Sequence, residues 1–75
     1  MPFSGARLRE LRLRRALTLR DLGTRAQVSF DNIHAIETGK HVPRPSTVRK
    51  LAAALGVAPD VLFDDEPFDM GKAAA

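Results

Sequence analysis

TLRDLGTRAQVSFDNIHAIETG, residues 18–39, is the stretch that decides the fold, because it carries one helix-start signal twice. Thr18 is a good N-cap, and Asp21 stands three residues on, close to a capping box. Leu17 and Leu22 flank that cap at the positions of a hydrophobic staple, which fixes the angle at which a chain enters a helix. The pattern predicts a helix over Leu19–Ala26. Ser29 then repeats the cap, Val28 and Ile33 repeat the staple, and Asp31 in the first turn suits the positive end of the helix dipole. Gly39 stops this next helix at about Thr38. Only a tight turn around Ala26, Gln27 and Val28 separates the two helices. Two short capped helices joined by so tight a turn must cross steeply, which is helix-turn-helix geometry.

Upstream, Leu8, Leu11 and Ala16 form an apolar stripe, with Ser4 placed to cap the first helix and Gly5 and Ala6 in its first turn. Downstream, the loop Lys40–Arg44 leads to Pro45, which fits a first helical position because its missing N–H costs nothing there. Val48, Leu51, Ala52 and Leu55 make one face of a fourth helix that ends at Gly56. Pro59 and Asp60 begin a short fifth turn holding Val61, Leu62 and Phe63. The expected fold is all-α, with five short helices. Its expected core is Leu8, Leu11, Leu17, Leu22, Ala26, Val28, Ile33, Ile36, Val48, Leu51, Ala52, Leu55, Val57, Val61 and Leu62. The domain is expected to span residues 1–63, followed over 64–75 by an acidic tail expected to be flexible.

At 75 residues the chain is one domain with a modest core, which favours helices and local contacts. It has no cysteine, so disulfides and thiolate metal sites are excluded, and a reducing cytoplasm is the expected setting. His34 and His41 stand seven residues apart with no carboxylate pattern to close a site, so no metal or other cofactor is expected. No apolar run approaches the roughly 20 residues of a membrane span. Charge is segregated: residues 1–58 hold eleven Arg or Lys against Glu10, Asp21, Asp31 and Glu37, whereas residues 59–75 hold Lys72 against five acids. A basic body with an acidic end suits a polyanionic partner, or equally a solvated basic face. Catalysis has no foothold: there is no glycine-rich phosphate loop, no nucleophile motif and no gathering of metal-binding carboxylates, so no enzyme is expected.

From Leu8 to Val57 the chain resembles the lambda-repressor/Cro-like, or XRE, family, most specifically in VSFDNIHAIETGK (Val28–Lys40) and LAAALGV (Leu51–Val57). The resemblance implies that the third helix enters the DNA major groove. It implies that the N-termini of the second and fourth helices face phosphates, and that a homodimer binds a roughly palindromic operator. By position Arg12 and Glu37 match a structural pair joining the first helix to the end of the third. Phe30, Asp31 and Ala35 match base-facing positions, with Asn32 and His34 beside them. Arg20, Lys40, His41 and Arg44 match backbone-contacting positions, and Thr18 and Thr47 lie near the two helix ends. The chain departs from the family pattern at Leu19, where a Gln commonly clamps a phosphate. It departs also at Gln27, where Gly is common, at Gly23 for the usual Ala, and at Ala35 for a polar reader.

These residues have alternative roles. Phe30 can meet a thymine methyl, or pack on the turn or against a neighbouring Arg. Asp31 can accept from cytosine N4 or serve the helix dipole. A dimer is expected through Val57, Val61 and Phe63. The leading reading is a cytoplasmic, prokaryotic transcriptional regulator acting on double-stranded DNA. The alternatives are an antitoxin, with Phe68 and Met70 of the tail anchoring a toxin protein, and an interaction module that never touches DNA.

Overall fold

The computed structural model describes residues 3–63. The expected tail over 64–75, with Phe68 and Met70, lies outside the described residues. Four α-helices follow one another: α1 (Gly5–Arg14), α2 (Leu19–Ala26), α3 (Phe30–Glu37) and α4 (Pro45–Leu55). The expected fifth helix is instead a 3-10 turn, Pro59–Leu62. Pro59 brings no N–H, and Phe63 already has extended backbone that forms an antiparallel bridge with Phe3, so no room is left for a full α-helical turn. Beside that bridge the Ser4 N–H donates to Leu62 O at 2.8 Å, tying the start of α1 to the 3-10 turn.

The caps form where the sequence puts them. Ser4 Oγ accepts from Arg7 N–H, Thr18 Oγ1 from Asp21 N–H and Ser29 Oγ from Asn32 N–H. The four helices also end alike, each with a residue in the left-handed region: Ala16, Gln27, Gly39 and Gly56. In each case the next N–H reaches back five residues: Leu17 to Arg12 O, Val28 to Gly23 O, Lys40 to Ala35 O and Val57 to Ala52 O. This is the Schellman closure, which satisfies carbonyls a helix end leaves orphaned. Gly39 and Gly56 adopt the required φ without a Cβ penalty, but Ala16 and Gln27 carry one. Ala16 is therefore not the last residue of the α1 stripe; it is exposed and lies beyond the helix.

α2 packs against both α3 and α4, and α1 against α3. Leu8, Leu22, Ile33, Ile36, Leu51, Leu55 and Leu62 are fully buried between them, each worth roughly 1.5–3 kcal/mol of apolar transfer. Leu11, Val28 and Val57 pack against this core yet stay half-buried, as does Val61. They stand on the flank of α1, in the turn between α2 and α3, and around the 3-10 turn, where no further layer among the described residues covers them. Gly23 has a packing reason: a Cβ there would come within 2.7 Å of Val28 O, so its absence lets the turn close on α2. Among the described residues no helix is long and apolar enough to cross a membrane.

Arg12 and Glu37 are paired charges whose side chains lie in this interior. Arg12 Nε donates to Glu37 Oε2 at 2.7 Å, its Nη2 to Glu37 Oε1 at 3.0 Å and its Nη1 to Leu17 O at 2.9 Å. The Glu37 side chain is 2% exposed. The hydrogen bonds to Glu37 push the Arg12 guanidinium above the ordinary arginine value, and burial opposes them more weakly. Glu37 also sits at the negative end of the α3 dipole, a place that disfavours a carboxylate unless a cation meets it.

The two left-handed non-glycine residues generate a prediction. Ala16→Gly and Gln27→Gly should each raise stability by about 0.5–1 kcal/mol, because relief of left-handed strain outweighs the entropy glycine adds to the unfolded chain. Gly23→Ala should lower it. Urea unfolding of the three variants checks the opposite signs.

Candidate nucleic-acid interface

The helical period of α3 sorts its side chains. Ile33 and Ile36 face the core, which leaves Phe30, Asp31 and His34 exposed and Asn32 and Ala35 half-buried on the flanks. Phe30 is 38% exposed, unusual for a large apolar ring at a helix start, and the Arg20 guanidinium carbon lies 4.8 Å from its centroid. His34 contributes its backbone: the Thr38 N–H and hydroxyl both donate to His34 O, at 3.0 Å each.

Two depressions adjoin the first turn of α3. One, of about 440 Å³, is lined by Arg20, Gly23, Thr24, Gln27, Val28, Ser29 and Phe30. The other, of about 390 Å³, is lined by Asn32, His41, Pro43, Arg44, Ser46, Thr47 and Lys50. Of the residues expected to face a nucleic acid, Arg20 and Phe30 come together at the first, and Asn32, His41, Arg44 and Thr47 at the second. Lys40, Asp31, His34 and Ala35 line neither; Lys40 is exposed on the turn beyond α3. Sequence reading passed over Thr24, Ser46 and Lys50. Ser46 was accessible to it, since it follows a proline at a helix start. Thr24 and Lys50 need the packing of α2 and α4 to bring them round.

The two helix N-termini differ. At α2 the capping box is complete: Thr18 N–H donates to Asp21 Oδ2 at 2.9 Å while Asp21 N–H donates to Thr18 Oγ1 at 3.0 Å. A carboxylate thus already occupies the positive end of this helix. At α4 the N-cap is Arg44, no side chain caps the helix, and Pro45 occupies the first position. The first-turn N–H groups of Ser46 and Thr47 have no intrahelical acceptor. With Arg44 and Lys50 beside them they form the stronger anion-binding end of the two.

Away from α3, Phe63 is not bare: the Phe3 ring meets it edge-on, with centroids 5.8 Å apart. These two rings, with Val42, Val48 and four neighbours, line an apolar groove of about 570 Å³. Val42 is 80% exposed.

Residues 5–65 match the family of the helix-turn-helix domain. The chain is 48% identical over 58 residues to the HTH-type transcriptional repressor RghR of Bacillus subtilis, across 76% of this chain and 43% of that protein. It is 36% identical over 62 residues to the HTH-type transcriptional regulator DdrOP3 of Deinococcus deserti, across 83% of this chain and 48% of that protein. The chain thus spans less than half the length of these curated relatives. Among solved structures, the restriction-modification controller protein C.AhdI from Aeromonas hydrophila matches with a TM-score of 0.77 at 32% identity, covering 79% of this chain and 89% of that one. The P22 c2 repressor protein, solved in complex with a synthetic operator, matches with a TM-score of 0.77 at 26% identity, covering 85% of this chain and 97% of that one.

The α2 capping box generates a pH prediction. The Thr18 backbone N–H, and secondly its hydroxyl, hold the Asp21 carboxyl below the ordinary aspartate value. A carboxyl depressed by folding stabilises above its unfolded value, and that stability is lost as pH falls through the folded one. The destabilisation caused by Asp21→Ala should therefore be constant near neutrality and shrink only below the ordinary aspartate range. Thermal melts of both proteins across acid pH check this; a gap that does not change with pH would contradict it.

Proposed function

The chain belongs to the lambda-repressor-like helix-turn-helix family, and from that premise we propose that it binds double-stranded DNA as a homodimeric transcriptional regulator. The observation that carries this reading is the setting of α3. Its exposed first turn gives Phe30 to one depression, shared with Arg20, and Asn32 to another, walled by Arg44 and Lys50. A helix presented this way enters a major groove while flanking cations meet the phosphates. The likeness to a repressor solved with a synthetic operator supports the same docking.

Phe30, Asp31, Asn32, His34 and Ala35 then face base edges. Arg44, His41, Lys40, Thr47, the Thr18 hydroxyl and the free N–H groups opening α4 meet the backbone. Arg and Lys side chains set affinity by releasing counterions, and α3 sets specificity. The operator is roughly palindromic because a second copy docks through the end of the molecule carrying Val57, Val61 and Phe63. The apolar groove beside Phe63 and the exposed Val42 support that choice of face, since such surface is usually covered in a dimer.

Selection from random duplex DNA, followed by titration of variants on the enriched sequence, tests this function. Arg44→Ala should weaken binding to all sequences alike and flatten the salt slope by about one unit for each phosphate it no longer neutralises. Phe30→Ala should leave the salt slope nearly unchanged and relax preference at one or two base pairs, by about 1–3 kcal/mol. The reverse assignment of effects would overturn the division of roles. Sedimentation should show a dimer at on the order of tens of micromolar, and Phe63→Ser should shift it to monomer.

A further inference from the structure

Arg20 and Phe30 belong to different helices, yet the guanidinium of the first rests over the ring of the second at 4.8 Å. Among the described residues Arg20 has no acidic partner. Its N–H groups are therefore uncommitted, while the aromatic face limits where they can be. A cation held on a ring goes where the ring goes. Phe30 opens α3, and the adjoining depression, shared by Arg20, Thr24, Gln27 and Ser29, leaves space around the pair. If α3 enters the major groove, the guanidinium is carried to the level of the base edges rather than left at the phosphates. There a planar fork of donors matches one acceptor pair best, O6 and N7 of guanine, and an apolar ring matches a pyrimidine C5-methyl.

Resting on the DNA-binding reading above, we propose that Arg20 and Phe30 form one reading unit for a C5-methylated pyrimidine next to a guanine. Phe30 covers the methyl group, and Arg20 donates two N–H groups to the neighbouring guanine. Arg20 is then a specificity-determining residue, not a phosphate ligand. Removal of the ring releases the guanidinium, so recognition of the methyl and of the guanine fails together rather than independently.

The test uses the full chain and the duplex it enriches from a random pool. Three probes change single groups in that duplex: uracil for thymine removes the methyl, 7-deazaguanine removes N7, and 5-methylcytosine for cytosine supplies the methyl in a different base. Wild-type protein should lose about tenfold in affinity with 7-deazaguanine and several-fold with uracil. Arg20→Ala should be indifferent to 7-deazaguanine, and Phe30→Ala indifferent to uracil and much less sensitive to 7-deazaguanine. A 5-methylcytosine at the thymine position, paired with guanine, should bind better than plain cytosine there. Arg20 is exposed, and far-ultraviolet circular dichroism of each variant confirms that it folds. Enrichment of sites lacking the methylpyrimidine–guanine step would overturn the proposal while leaving DNA binding intact. So would an Arg20→Ala protein that loses affinity equally on every duplex with a flatter salt slope. Failure to enrich any duplex would instead overturn the DNA-binding reading and the reading unit with it.

Discussion

The bidentate pair between Arg12 and Glu37, with its third arm on Leu17 O, is the constraint on which the arrangement of helices depends. It joins the last turn of α1 to the last turn of α3 and, through Leu17, to the residue just before the α2 cap. Apolar contacts are tolerant of small shifts; a planar fork on a carboxylate is not. Burial of the charges is costly, so the pair adds little net stability over a well-packed apolar substitute. What it adds is a fixed register among three helices that carry or support the exposed face of α3. It also supplies the cation that Glu37 needs at the negative end of the α3 dipole.

The rest of the molecule follows a division between ends and faces. Each helix is started by a cap or a proline and finished by the same left-handed closure, so the short elements are defined locally before they pack. One face of each helix then supplies the core. The polar remainder is unevenly used. The N-terminus of α2 is neutralised internally by Asp21, whereas that of α4 is left open beside Arg44 and Lys50. The start of α4 thus offers open N–H groups beside two cations, and the start of α2 does not.

Much of this was legible in the sequence because the information is local. Ser4, Thr18 and Ser29 announce helix starts, Gly39 and Gly56 announce ends, and the boundaries of α2 follow from residues within a turn of them. What was not legible depends on packing. Ala16 gives no sign of a left-handed conformation, since alanine is the strongest helix former; the requirement comes from Leu17 having to turn into the core beside Arg12. Leu11, Val28, Val57 and Val61 have the character of core residues but lie where no layer among the described residues closes over them. The 3-10 turn replaces a fifth helix because Phe63 is engaged by Phe3, a partner from the opposite end of the domain. In the candidate site Phe30 stood out by type, with an arginine neighbour among its expected roles, but which arginine it meets, Arg20, required the crossing of α2 and α3. Thr24 and Lys50 likewise became visible only once two helices met.

The claim that the Arg12–Glu37 pair sets the register of three helices is tested most directly by a double-mutant cycle. Urea unfolding of wild type, Arg12→Met, Glu37→Leu and the double variant gives the four corners. Each single variant leaves a charge without its partner in the interior and should lose about 3–5 kcal/mol. The double variant should lose far less than the sum, with a coupling energy of at least about 1 kcal/mol. Single losses that add to within about 0.5 kcal/mol would show two independent side chains and would contradict the account.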